Sequence, residues 1–199
     1  MQTIGPNFFE YRKRVIEDAY ELVAAVEICE PLTLKTMDDL RRVGNWEVPL
    51  ALRRLLARAT VLVLLRLLEN SQPGKTGTTA GIAALCAIGE NSGALTPAQR
   101  ASVDLSLTKI RDDMIADGTS VSDLTAFRHA HVGHALIPHQ PLANDLPADR
   151  IFKHARAVIA VVEAIEQVFS ANGVQIGPPA MENQNDWKRR SADFWKHLT

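Results

Sequence analysis

The chain has 199 residues, enough for one domain that buries most of its apolar surface without disulfide or metal support. Its formal charge of −1 excludes a protein that coats nucleic acid or membrane by net charge, so any grip on a polyanion must be local. Two cysteines, Cys29 and Cys86, are too few for a disulfide framework or a four-cysteine zinc site.

In chain order, Tyr11, Val15, Ala19, Leu22, Val26 and Cys29 recur at steps of three and four, which predicts an amphipathic helix over Asn7–Glu30, stopped by Pro31. Thr36 is a candidate cap for a short helix over Met37–Val43. A second long helix is predicted over Pro49–Asn70, with proline in the first turn, where its missing N–H is harmless. Its leucines point in most directions, so it is expected to be the most buried helix. Arg53, Arg54, Arg58 and Arg66 sit among them and are expected to be solvated or paired with acids on neighbouring helices.

Ser71–Gly77 reads as a turn. Its Gly74-Lys75-Thr76 resembles the end of a phosphate-binding loop, but the glycine needed five residues earlier is Glu69, and a helix precedes it where a strand is required. Thr78 or Thr79 is a candidate cap for a short apolar helix ending near Gly89. Thr96-Pro97 opens a helix to about Asp117, which Gly118 ends. Ser120 or Ser122 caps the next. Pro138, Pro141 and Pro147 bracket a loop. The last long helix runs over Pro147–Ala171, where Ile151, Ala155, Val158, Val162, Ile165 and Phe169 form a narrow seam suited to a bundle. After a linker from Gly173 to Pro179, Trp187, Phe194, Trp195 and Leu198 form one face of a terminal amphipathic helix, expected to pack on the bundle or across a dimer.

The predicted fold is therefore all-α: four long helices, shorter helices between them, and a C-terminal amphipathic helix. The predicted division is a bundle over residues 7–171 and a linker with terminal helix over 172–199. The N-terminus lacks the pattern of a signal peptide, and the longest apolar runs fall far short of the ~20 residues that span a bilayer. The expected compartment is the cytoplasm, without membrane association and with both thiols reduced.

Four of the six histidines, His129, His131, His134 and His139, fall within eleven residues. Histidine is both a metal ligand and the acid–base group of neutral pH. The helix before them supplies only Asp123 as a carboxylate, and the His-Glu-x-x-His signature is absent. At about 100° per residue, Val121, Leu124, Val132 and Ala135 share a face with Arg128, with His131 about 60° away and His134 about 60° further round. An arginine in an apolar stripe must meet an anion, snorkel or lie at an interface. Guanidinium holds phosphate in two-point contact, and imidazole moves a proton to or from an attacking or leaving oxygen, so the set suits phosphodiester chemistry without a metal or cofactor.

At these residues, Phe127-Arg-His-Ala-His-Val-Gly-His-Ala-Leu136, the sequence resembles the HEPN superfamily and particularly its abortive-infection branch. Arg128 matches the family arginine, His129 the polar residue after it and His134 the family histidine. The resemblance extends over Asn7–Ala171 through the order of helices. The chain has His129 where asparagine or aspartate is commoner, Ala130 where lysine is frequent and Gly133 where alanine is commoner. The resemblance implies a helical bundle that forms a homodimer with the signature helices of two subunits lining one cleft. It also implies a metal-independent endoribonuclease of a toxin–antitoxin or defence system, with His134 as acid/base, Arg128 on the phosphate and a 2′,3′-cyclic phosphate as product. The expected partners are RNA or a nucleotide and an antitoxin or regulatory protein, with His129 and His131 as accessory phosphate-binding groups. Two alternatives stay open. One is a non-catalytic module that binds nucleotide or partner, favoured by only four cations against three acids over residues 120–160. The other is a metal-binding protein built on the histidines.

Overall fold

The structure, a computed structural model, describes residues 6–29, 38–39, 41–42, 44, 47–69, 81–128, 148–174, 189 and 192–193. Among these residues there are six helices of eight residues or more and no strand. They are α1 (Pro6–Cys29), α2 (Glu47–Leu68), α3 (Ile82–Asn91), α4 (Pro97–Ala116), α5 (Val121–Arg128) and α6 (Ala148–Ala171). The chain is all-α, and α1, α2 and α6 pack mutually as the centre of a helical bundle. The α3–α5 section closes over that centre, α4 lying on α6 and α5 on α2.

The apolar seams explain this packing. Val15, Ala19, Leu22, Val26 and Cys29 of α1 are all buried, with Tyr11 half-buried at the edge of the core. All six seam residues of α6, from Ile151 to Phe169, are buried as well. Each seam is a continuous stripe, so the two helices remove one face each from water and leave the other face charged. Arg12 and Glu166 join them, Arg12 Nε donating to Glu166 Oε1 at 3.0 Å and Nη2 to Oε2.

The helix ends follow the sequence signals in part. Thr96 caps α4 with a full capping box: its hydroxyl accepts from Gln99 N–H at 3.2 Å, and Gln99 Oε1 accepts from Thr96 N–H at 2.9 Å. The short apolar helix α3 departs from expectation. Thr78 and Thr79 lie outside the described residues, and the N-cap is Gly81, without a side-chain cap. A Cβ at Gly81 would stand 2.8 Å from the Glu69 carbonyl oxygen and 3.0 Å from that of Arg66, so only glycine fits where the chain returns against the end of α2.

The leucine-rich helix α2 is also less enclosed than its composition suggests. Its buried residues are Pro49 and, in the C-terminal half, Ala57, Thr60, Val61, Val63, Leu64, Leu65, Leu67 and Leu68, whereas Leu55 is 63% exposed. Leucines on every side of a helix are all buried only if neighbours surround it. The described neighbours of α2 enclose its C-terminal half.

The arginines of α2 divide in two. Arg53 pairs with Asp149 at the start of α6, and Arg66 pairs with Asp18 of α1 at 2.6 Å and Glu21 at 3.2 Å. Arg54 and Arg58 are exposed. Asp38, Asp39, Arg41 and Arg42 are helical and form two ion pairs at i, i+3, while Thr36, Met37, Leu40 and Val43 lie outside the described residues. Both cysteines are buried free thiols, pushed up to about 12 by burial, and are therefore uncharged and poor nucleophiles. No described helix is long and apolar enough to cross a membrane.

Candidate functional site

Arg128, the first residue of the Arg/His signature, is placed by the corner between α4 and α5. Helix α4 ends at Asp117, and Gly118 takes a left-handed conformation with φ +66°. Thr119 N–H then donates to the Met114 carbonyl at 2.8 Å and Gly118 N–H to that of Ile115 at 3.0 Å, which closes the helix as a Schellman motif. A side chain at Gly118 would strain that turn.

Ser120 starts α5 immediately afterwards. Its hydroxyl accepts from Asp123 N–H at 3.2 Å, and Asp123 Oδ2 accepts from Ser120 N–H at 2.8 Å and from the Ser120 hydroxyl at 2.6 Å. Of the two candidate caps, Ser120 therefore does the capping. Asp123, the carboxylate of the helix that precedes the histidines, is occupied at the helix start.

Leu124 and Phe127 anchor α5 in the core, and Val121 packs at its edge. Arg128 is the last residue of α5, one turn after Leu124 on the same stripe, and it is half-buried. His129, His131, His134 and His139 lie outside the described residues, as do Val132 and Ala135. Trp187, Phe194, Trp195 and Leu198 of the C-terminal segment lie outside them too. Among the described residues, no three of His, Cys, Asp and Glu gather as a metal site.

The first two turns of α6 return to the same corner. Arg150 donates to the Asp117 backbone carbonyl. Lys153 Nζ donates to Asp117 Oδ2 at 2.7 Å, and the same oxygen lies 3.3 Å from Nε2 of His154. The Lys153 ammonium holds the Asp117 carboxyl below the usual carboxylate range, with His154 and Arg150 adding to the effect. On the next turn, Arg156 Nη1 is 3.5 Å from Oε1 of the buried Glu27 in α1. The cations at the start of α6 are thus engaged with acids or carbonyls of the bundle. They tie α6 to α1 and to the end of α4.

Sequence reasoning missed His154. It is 2% exposed, and its Nε2 is buried without an aligned hydrogen bond, the approach to Asp117 being a charge contact. Burial pushes its pKa below the usual histidine value, Lys153 acting in the same direction and Asp117 and Asp113 opposing it. A signal was legible: His154 falls three residues after Ile151 and four before Val158, inside the α6 seam.

This burial has a measurable consequence. Because His154 binds its proton less tightly folded than unfolded, its contribution to stability is present above about pH 6.5 and is lost as pH falls from there through the lower folded pKa. Denaturant titrations from pH 7 to pH 5 should show wild type losing stability faster than His154→Gln, by at most about 1.4 kcal/mol per pH unit. Asp117, held low, loses its contribution only below about pH 4, outside that window. Parallel pH profiles for the two proteins would show that His154 is accommodated as the cation.

Comparison of the chain with protein-family models, with curated proteins and with solved structures returns no match, so the site is characterised by its residues alone.

Proposed function

We propose that the protein is a metal-independent endoribonuclease of HEPN type. In this reading Arg128 holds the scissile phosphate and His134 serves as general acid/base, with His129 and His131 as accessory phosphate contacts. The observation that carries it is the position of Arg128: a guanidinium on the core-facing stripe of α5, half-buried, at the point where four histidines follow within eleven residues. The ribose 2′-hydroxyl attacks the adjacent phosphorus as an imidazole takes its proton. The 5′-oxygen leaves with a proton from a second donor, and a 2′,3′-cyclic phosphate and a 5′-hydroxyl end remain. Charge that builds on the phosphate oxygens is met by Arg128.

The expected role is that of a toxin or defence component acting on RNA as a homodimer, held in check by an antitoxin or regulatory protein. The paired state of Arg53, Lys153 and Arg156 gives the region little spare positive charge, which also suits a non-catalytic module for a nucleotide or partner.

Purified protein incubated with mixed RNA in EDTA separates the readings. Wild type should cleave, and Arg128→Ala and His134→Ala should each lose about 10²- to 10³-fold in rate. Equal cleavage by wild type and His134→Ala overturns the nuclease reading at this site. RNA binding without cleavage by wild type favours the binding module, with a salt slope that counts the phosphates held.

A further inference from the structure

Two exposed helix faces carry large apolar side chains beside charges of opposite sign. On α2, Val48, Leu52, Leu55, Ala59 and Leu62 follow steps of four and three, the spacing of a helix-pairing seam. Val48 is 72% exposed and Leu55 63%, two turns apart on one face. Arg54 and Arg58 flank this seam. Both are exposed, and neither makes an ion pair or hydrogen bond with a described residue. Four residues apart on one helix, they repel each other until an acid approaches.

On α4, Ala101, Leu105, Thr108, Asp112 and Ile115 follow the same steps and are all exposed, Leu105 at 72% and Ile115 at 64%. Asp112 and the adjacent Asp113 are exposed and make no ion pair with a described residue, and Lys109 is the one exposed cation of α4. Four of the five exposed large hydrophobic side chains among the described residues lie on these two faces.

We propose that the α2 face of one copy of this chain docks on the α4 face of a second copy, Arg54 and Arg58 meeting Asp112 and Asp113 while Val48 and Leu55 pack against Leu105 and Ile115. Other occupants fit less well. Pairing of α2 with α2 brings arginine against arginine. The tail of this chain presents Lys188, Arg189 and Arg190 in a row, the wrong sign for Arg54 and Arg58. Helices of about 30 Å supply the length that a specific interface needs, and apolar patches of this kind mark such interfaces.

Exchanging the charges tests the contact. Arg54→Glu/Arg58→Glu makes both faces acidic, and Asp112→Arg/Asp113→Arg makes both basic. Wild type should self-associate in sedimentation at micromolar concentration. Each charge variant alone should self-associate at least about tenfold more weakly, with an unchanged helical circular dichroism spectrum. An equimolar mixture of the two variants should recover wild-type association, because every α2–α4 contact between unlike copies is again of opposite charge. Leu55→Ser should weaken association without altering charge. A mixture that fails to associate, or variants that each assemble as wild type does, overturns the proposal. A wild-type chain that stays monomeric at high micromolar concentration also overturns it and leaves the α2 face to a separate acidic helix or to RNA.

Discussion

Truncating Glu166 to alanine is expected to destabilise the protein by about 3 kcal/mol. The pair it forms with Arg12 joins α6 to α1 across the centre of the bundle, and both side chains are nearly buried, 12% and 11% exposed. Two parallel hydrogen bonds satisfy the guanidinium fork and both carboxylate oxygens. Removing the carboxylate strands a guanidinium where little water reaches it. The charge must then shed its remaining solvation or drag its surroundings open.

The pair as a whole stabilises far less than its disruption costs, because two charges had to leave water to form it. Arg12→Met/Glu166→Leu should therefore lie within about 1 kcal/mol of wild type, or above it. Urea denaturation followed by circular dichroism checks both variants, with the midpoint shifted and the slope unchanged. If Glu166→Ala unfolds at the wild-type midpoint, the pair is solvated and the two helices are held by their seams alone.

The second large effect is expected for Phe169→Ala, at about 3–5 kcal/mol. Phe169 closes the α6 seam and is fully buried. Its ring meets that of Phe8 in α1 edge-to-face, with centroids 5.0 Å apart and planes at 83°. It also lies where a Cβ on Gly89 of α3 would come within 3.4 Å of its Cε1, so three helices converge on one ring. Close packing on three sides leaves the neighbours little room to collapse into the space, and an unfilled cavity adds to the lost transfer energy. For a chain of this size the melting temperature should fall by roughly 10 °C. Phe169→Leu fills most of the space and should lose much less. A Phe169→Ala protein that melts within about 2 °C of wild type would mean that the three helices close over the gap.

Neither substitution touches the α4–α5 corner. On the proposed nuclease reading, an RNase defect in a folded Phe169→Ala protein would therefore report coupling through α6, whereas defects in Arg128→Ala and His134→Ala would report the proposed site.

Much of the fold was written into one-dimensional spacing. The seams of α1 and α6 were legible because a stripe at steps of three and four has one stable use, burial against another stripe. The helix boundaries came within one or two residues where short-range chemistry sets them: Thr96 with Gln99 at α4, Ser120 with Asp123 at α5, and Gly118 between them. Each of these signals acts within a few residues and so leaves a local mark. The start of α3 left none. Gly81 serves as its cap because the chain passes against carbonyls of α2, and a contact between residues 66 and 81 has no signature in the sequence around either.

The candidate site divides along the same line. The sequence identified Arg128 and the histidine cluster by residue type and spacing, and it put Arg128 on the stripe of Leu124 by helical periodicity alone. The tertiary structure decided the pairing of charges: Arg53 with Asp149, Arg66 with Asp18, Lys153 and His154 with Asp117, Arg12 with Glu166. It also decided which side of α2 stays in water. Composition records how many charges and leucines a helix carries. Which of them meet a partner depends on approach between segments far apart in the chain, where attraction over a few ångströms and the loss of solvent outweigh any local preference.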